Sequence, residues 1–302
     1  MKKNPVLTVL IAAALLGAIF FVVLYVLSLL ASGEAPRPLA SLPGADKIAL
    51  IKIEGVLISP ENAVKELNEY AEDSSVKAIV IRVDSPGGGV VASQEIYNAV
   101  KNARKEGKKV VVSMGSVAAS GGYYIAAAAD KIIANPGTLT GSIGVKMEFA
   151  NLEKLLDKIG VKGMVIKSGE YKDVGSPFRA MTENEKKLLQ DVIDDVHSQF
   201  IEAVAAGRRL PASQVRAIAD GRIFTGRQAL KLKLVDKMGD LQTSIQEAAD
   251  LAGIKGKPRI VSREKKMPFF EYLKDETASW ISGVIRETLD GNHARLQYLY
   301  RQ

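Results

Sequence analysis

Short apolar runs rich in branched residues recur along this 302-residue chain, each followed by a stretch of helical periodicity; that alternation restricts the fold more than any other feature. Lys77 to Val83 reads K-A-I-V-I-R-V, the pattern of a strand buried on both faces. A glycine turn and a helical stretch from Val91 to Lys105 follow it. Lys47 to Ile53, Lys109 to Met114, Lys131 to Ala134 and Gly163 to Lys167 are further strand candidates. Helical stretches lie between them at Glu61 to Glu72, near 120 to 129 and near 151 to 159, with Ser59-Pro60 offering an N-cap and a pre-set first residue to the first. Strands alternating with helices imply βαβ units, hence an α/β fold. Thr182 and Glu185 make a capping box for a long amphipathic helix through Ala206, whose apolar stripe includes Leu189, Ile193, Val196, Phe200 and Val204. Shorter helices are expected near 213 to 219, 226 to 233 and 241 to 252.

Between Val6 and Leu30 no side chain is charged, and 25 helical residues span about 37 Å against a hydrocarbon core of about 30 Å. A cleaved signal peptide is the alternative, but its apolar region normally runs about 7 to 15 residues, and Ala31-Ser32-Gly33 is a mediocre cleavage site. One transmembrane helix is therefore expected ahead of the globule. Lys2 and Lys3 precede it, whereas Glu34 and Arg37 nearly cancel after it, so the amino-terminal end stays cytoplasmic and the rest faces outward. The expected organisation is a cytoplasmic end and anchor at 1–31, a Pro- and Gly-containing linker at 32–46, a globular domain at 47–252, and a tail at 253–302. Lys255 to Lys266 carries six basic residues against Glu264, and Phe269 to Leu289, with Trp280, has amphipathic character. Solvated charge, membrane-surface contact and subunit contact are all uses of such a tail.

The chain has no cysteine, which removes thiolate nucleophiles, thiolate zinc sites, iron–sulfur clusters and disulfides together. Only two histidines remain: His197 inside the long helix and His293 in the tail. Any mechanism must work with almost no imidazole. A net charge of +7 does not argue for nucleic acid as a partner, and no metal or organic cofactor is implied.

Asp84-Ser85-Pro86-Gly87-Gly88-Gly89 leaves a strand and enters a helix, where backbone amides become available to hold negative charge. Gly87-x-Gly89-x-x-Ala92 satisfies the letters of a dinucleotide fingerprint. That motif also needs an acidic residue about 20 positions on, at the end of the next strand, and Val110 to Met114 ends in Gly115-Ser116 instead. A plain turn seldom needs three consecutive glycines, whose ordering costs entropy. The loop reads as an oxyanion hole. Further on, Gly115 to Tyr124 (G-S-V-A-A-S-G-G-Y-Y) surrounds Ser120 with small residues between a strand and a helix, so that Gly121 offers an N–H complementing one from Gly87. The same letters also suit a small-residue packing surface with Ser120 as an N-cap, and the stretch alone leaves both readings open. A histidine-based triad has no suitable histidine, Ala118-x-Ser120-x-Gly122 does not complete the G-x-S-x-G elbow, and the S-x-x-K matches at Ser74 and Ser262 lie in charge-rich stretches.

D-S-P-G-G-G, A-A-S-G-G-Y-Y, T-G-S-I-G-V from Thr140 to Val145 and S-G-E-Y-K-D from Ser168 to Asp173, in that order, resemble the signal peptide peptidase A family of membrane-anchored serine proteases. The likeness covers roughly residues 47 to 252. It implies a Ser-Lys dyad of Ser120 as nucleophile and Lys172 as general base, with Ser142 orienting the lysine. It also implies the fold of stacked βαβ units shared by Clp protease and crotonases, and a homo-oligomeric ring in which the lysine reaches a neighbouring subunit's serine. Remnant signal peptides are the substrates it implies; broader clearance of membrane-associated peptides is the nearest alternative.

Ordinary lysine titrates near 10.4, so a working base at pH 7 needs about three units of lowering, or about 4 kcal/mol of desolvation. Asp173 and Glu170 would oppose this, and both are expected to point away from the amine. Small residues at Ser116, Ala118 and Ala119 suggest a shallow groove that takes an extended peptide by strand addition. Two other functions share the fold: a crotonase-type acyl-CoA enzyme, which would want acidic residues in the site, and a non-catalytic, membrane-tethered peptide-binding ring.

Overall fold

The computed structural model describes residues 46–263 and the backbone of 297–299. Lys47–Glu54 (β1), Glu61–Glu72 (α1) and Val76–Ser85 (β2) make the first βαβ unit, its two strands parallel. Gly87–Gly89 (β3) is a short excursion, after which Val90–Lys105 (α2) returns the chain to Lys109–Ala119 (β4), parallel to β2. Gly121–Ala126 (α3), Lys131–Ala134 (β5) and Leu139–Gly141 (β6) follow. Both strands run parallel to β4, β5 pairing with Val111 to Ser113 and β6 with Val117 to Ala119.

Glu153–Lys158 (α4) and a 3-10 turn at Glu170–Asp173 precede the long helix Glu183–Arg208 (α5), and Ala212–Arg216 (α6) comes next. Ile223–Thr225 (β7) is antiparallel to β6, and Gly226–Lys231 (α7) leads to Lys237–Met238 (β8), parallel to β5. Leu241–Ala252 (α8) and Arg259–Val261 (β9), parallel to β1, complete the sheet. Its order is β7-β6-β4-β2-β1-β9, with β5 and β8 branching from β4. Gln297–Leu299 (β10) forms a separate antiparallel pair with β3.

Alternation along β2 explains why the sheet is covered on both faces. Ile79, Ile81 and Val83 enter one hydrophobic cluster, while Ala78 and Val80 enter another with Ile245, Ala248 and Ala249 of α8. Full burial of such aliphatic side chains stabilises by about 1.5–3 kcal/mol each. On the first face α5 reaches α3: Phe200 lies against Tyr124 with ring centroids 5.0 Å apart, and Tyr124 against Tyr97 of α2 at 5.0 Å.

The Thr182–Glu185 capping box is present at the start of α5. Three local expectations need correction. Ser59 does not cap α1; Pro60 holds that position without a side-chain hydrogen bond. Gly163 to Lys167 is not a strand: these residues are exposed and pair with no other segment, so their β-branched composition has no ladder to join. β4 runs five residues past its expected end at Met114, because β6 supplies a partner for Val117 to Ala119. The apolar run at 6–30, the amphipathic stretch at 269–289 and His293 lie outside the described residues. Among the described residues no helix is long and apolar enough to cross a membrane.

Candidate active site

Ser120 sits at the corner between β4 and α3. Its φ of 53° and ψ of −118° place a non-glycine residue in sparsely populated backbone space, a strain that a chain retains only where its surroundings enforce it. Two backbone bonds do so: its N–H donates to the Gly141 carbonyl at 2.8 Å, and its own carbonyl accepts from the Tyr124 N–H at 2.8 Å. The residue is buried, and its side chain makes no capping hydrogen bond to α3. The N-cap reading of this serine therefore fails, and the hydroxyl is not spent on the helix.

Against this corner lies the glycine loop. Leu57 clamps it through two backbone bonds, donating to the Gly87 carbonyl at 2.8 Å and accepting from the Gly89 N–H at 2.7 Å. Close approach leaves no free space at Gly121: a β-carbon there would fall on the Ser93 hydroxyl and lie 3.3 Å from both the Gly87 Cα and the Gly88 nitrogen. Gly87 and Gly121 are thus brought together. The Gly87 N–H donates to the Ser85 hydroxyl at 3.1 Å, and that hydroxyl donates to the Gly55 carbonyl at 2.6 Å. Ser85 stood inside the D-S-P-G-G-G motif, yet only the structure reveals its hold on the loop.

Ser142 follows Gly141, the residue paired with Ala119, so Ser120 and Ser142 are each the first residue past the end of two neighbouring parallel strands. It too has a positive φ, 51°, and its N–H donates to the Arg222 carbonyl at 2.9 Å. A cavity of about 370 Å³ opens beside it, lined by Ser142, Gly144, Val145, Ile193, His197 and Gly221. The Nε2 of His197 is buried there and has no hydrogen-bond partner among the described residues.

The family model for Peptidase family S49 matches residues 102–255, and that for Clp protease matches residues 59–138. The Methanocaldococcus jannaschii protein MJ0651 is 35% identical over 276 residues, 86% of each chain. The chain belongs to peptidase family S49. Other S49-like relatives are Protease 4 of Haemophilus influenzae, 34% identical over 83% of this chain and 41% of its own, and the chloroplastic serine protease SPPA of Arabidopsis thaliana, 34% identical over 78% and 37%. The chain thus spans less than half the length of those two relatives. Among solved structures, a ClpP1 mutant of Listeria monocytogenes matches with a TM-score of 0.45 at 17% identity, over 65% of this chain and 93% of its own. As an S49 member the protein is a serine protease acting on peptides, which sets aside both the acyl-CoA and the non-catalytic readings.

In this S49 chain Lys172 stands in the 3-10 turn, exposed, and forms no ion pair among the described residues. The segment around it joins no strand of the sheet and leaves large apolar side chains uncovered: Met164 is 90% exposed and Ile166 96%, with Phe149, Leu155, Ile159 and Phe178 also exposed. Its neighbour Asp173 does turn elsewhere, to Arg179 and Lys167. Within the described chain Ser120, Ser142, Gly87 and Gly121 cluster, while no hydrogen bond links Lys172 to either serine.

Proposed function

We propose that Ser120 is the nucleophile of this peptidase, that Lys172 of a neighbouring copy is its general base, and that Ser142 directs the lysine amine. The observation that carries the reading is the strained corner at Ser120, whose hydroxyl does not cap α3 and whose neighbour Gly121 lies against the loop of Gly87 and Gly88. Attack of Ser120 Oγ on a peptide carbonyl forms a tetrahedral oxyanion, the lysine takes the hydroxyl proton and returns it to the leaving amine, and water then hydrolyses the acyl-enzyme. Gly121 and Gly87 supply the oxyanion donors, the Gly87 N–H passing from the Ser85 hydroxyl to the developing charge.

A lysine base must be dry, and Lys172 is exposed in the single chain. A second copy that covered the exposed apolar segment from Phe149 to Phe178 would bury both, which supports a homo-oligomeric ring with shared sites. The cavity beside Ser142 gives an incoming side chain room. Peptide enters as an added strand: β10 already pairs antiparallel with β3, so the glycine edge accepts an extended backbone.

The charge-free run at 6–30 anchors the protein by a single pass, amino terminus inside, with the domain from residue 47 outside. Short apolar peptides released at a membrane, remnant signal peptides among them, would reach such a site at high local concentration. The test is labelling by a fluorophosphonate probe together with cleavage of a short apolar peptide. Ser120→Ala should abolish both, and Lys172→Ala should lower both by at least about 10³-fold. Cleavage retained in either variant would remove the dyad.

A further inference from the structure

Asp173 follows Lys172 directly, and a bare carboxylate there would favour the charged form of the amine. It is not bare. Arg179 Nε donates to its Oδ2 at 3.0 Å, Arg179 Nη2 to its Oδ1 at 2.8 Å, and Lys167 Nζ to Oδ1 at 2.6 Å. The Asp173 side chain is left only 10% exposed. The same guanidinium turns to Glu185, with Nη1 donating to Oε2 at 2.8 Å and Nη2 in short contact with Oε1. Glu185 in turn accepts from the Thr182 N–H at 2.8 Å and from the Thr182 hydroxyl at 3.1 Å, closing the capping box of α5. From there α5 runs inward to Phe200, which packs on Tyr124, four residues beyond Ser120.

We propose that Arg179 is a positioning residue for the Lys172 amine: it fastens the turn that carries the lysine to the start of α5, and it takes up the charge of Asp173 so that the lysine can lose its proton. This rests on Lys172 being the base. The hydrogen bonds from Arg179, and then from Lys167, hold the Asp173 carboxyl well below the usual carboxylate range, and those from Arg179 and Thr182 lower Glu185 to about 2. Both carboxylates are therefore ionised at neutral pH, each facing the Arg179 guanidinium.

The charged groups facing Asp173 are Arg179 and Lys167, and α5 adds Glu185 across Arg179; within the turn itself Glu170 lies two residues before Lys172. Lys167, Asp173, Arg179 and Glu185 together carry no net charge, so deleting Arg179 leaves one negative charge uncompensated in the group anchored by Asp173, the residue that follows the lysine. At separations of several ångströms and intermediate screening, one such charge moves a neighbouring titration by about one pH unit.

The experiment is the pH profile of kcat/KM for the full-length protein on a short apolar peptide. In Arg179→Met the acidic limb should move up by about one unit, with about tenfold loss below the limb and little above it. Asp173→Asn should move the limb the other way, and combining it with Arg179→Met should bring the limb back. An equal loss at every pH in Arg179→Met, or a double variant whose limb stays displaced, would mean that Arg179 only braces the fold and would overturn the proposal. If Arg179→Met does not fold, Lys167→Met takes its place, since Lys167 also meets Asp173 Oδ1: a smaller upward move supports the proposal and an unmoved limb overturns it. Lys172→Ala, measured alongside, separates the two layers. Retained activity there removes the base itself, whereas an inert Lys172→Ala beside an unmoved limb in Arg179→Met removes only the part assigned to Arg179.

Discussion

A β-carbon added at Gly121 would meet the Ser93 hydroxyl and press on the loop that carries Gly87 and Gly88. Gly121→Ala should therefore fold, because α3 tolerates alanine, yet lower kcat by about 10²-fold through displacement of the donors from the reacting carbonyl. Removing the obstruction with Ser93→Ala in the same chain should recover much of the loss, as read by steady-state kinetics; a double variant no better than Gly121→Ala would show that this contact does not set the loop. At this scale much was legible in the letters. Small residues flanking Ser120 and three consecutive glycines have few uses, and the structure packs them together. Arg179 was not legible, since nothing in the spacing of an arginine and two carboxylates says which of many charges meet. The hold of Ser85 on Gly87 was likewise invisible, because it depends on where the preceding strand ends.

Long elements announced themselves and short ones did not. The capping box and apolar stripe of α5 and the unbroken burial of Ala78 to Ile81 in β2 follow from sequence patterns that persist over many residues. β7, β8 and β9 are two or three residues each, too short to show any period, and exist because a neighbouring strand offers a ladder. Gly163 to Lys167 is the converse: branched residues without a neighbour remain irregular. The energetic link between α5 and the nucleophile corner is Phe200, fully buried against Tyr124. Phe200→Ala should destabilise by about 3–5 kcal/mol through lost contacts and the cavity left behind. Denaturant titration measures this, and a loss below about 1 kcal/mol would mean that α5 is not braced through this ring.

At the scale of the whole molecule, one chain holds a hidden serine and an exposed lysine, each unsuited to acyl transfer alone. The apolar side chains displayed between Phe149 and Phe178 resemble half of an interface. Neither feature could be read from residue order, because burial in an assembly depends on surfaces that only folding creates. The direct test mixes two variants that are inert alone, Ser120→Ala and Lys172→Ala, by dissociation and joint reassembly, and measures peptide cleavage. If each site takes its serine from one copy and its lysine from the next, random assembly pairs an intact serine with an intact lysine in about one quarter of the sites, and about that share of activity returns. A mixture as inert as its two components would contradict a shared Ser120–Lys172 site.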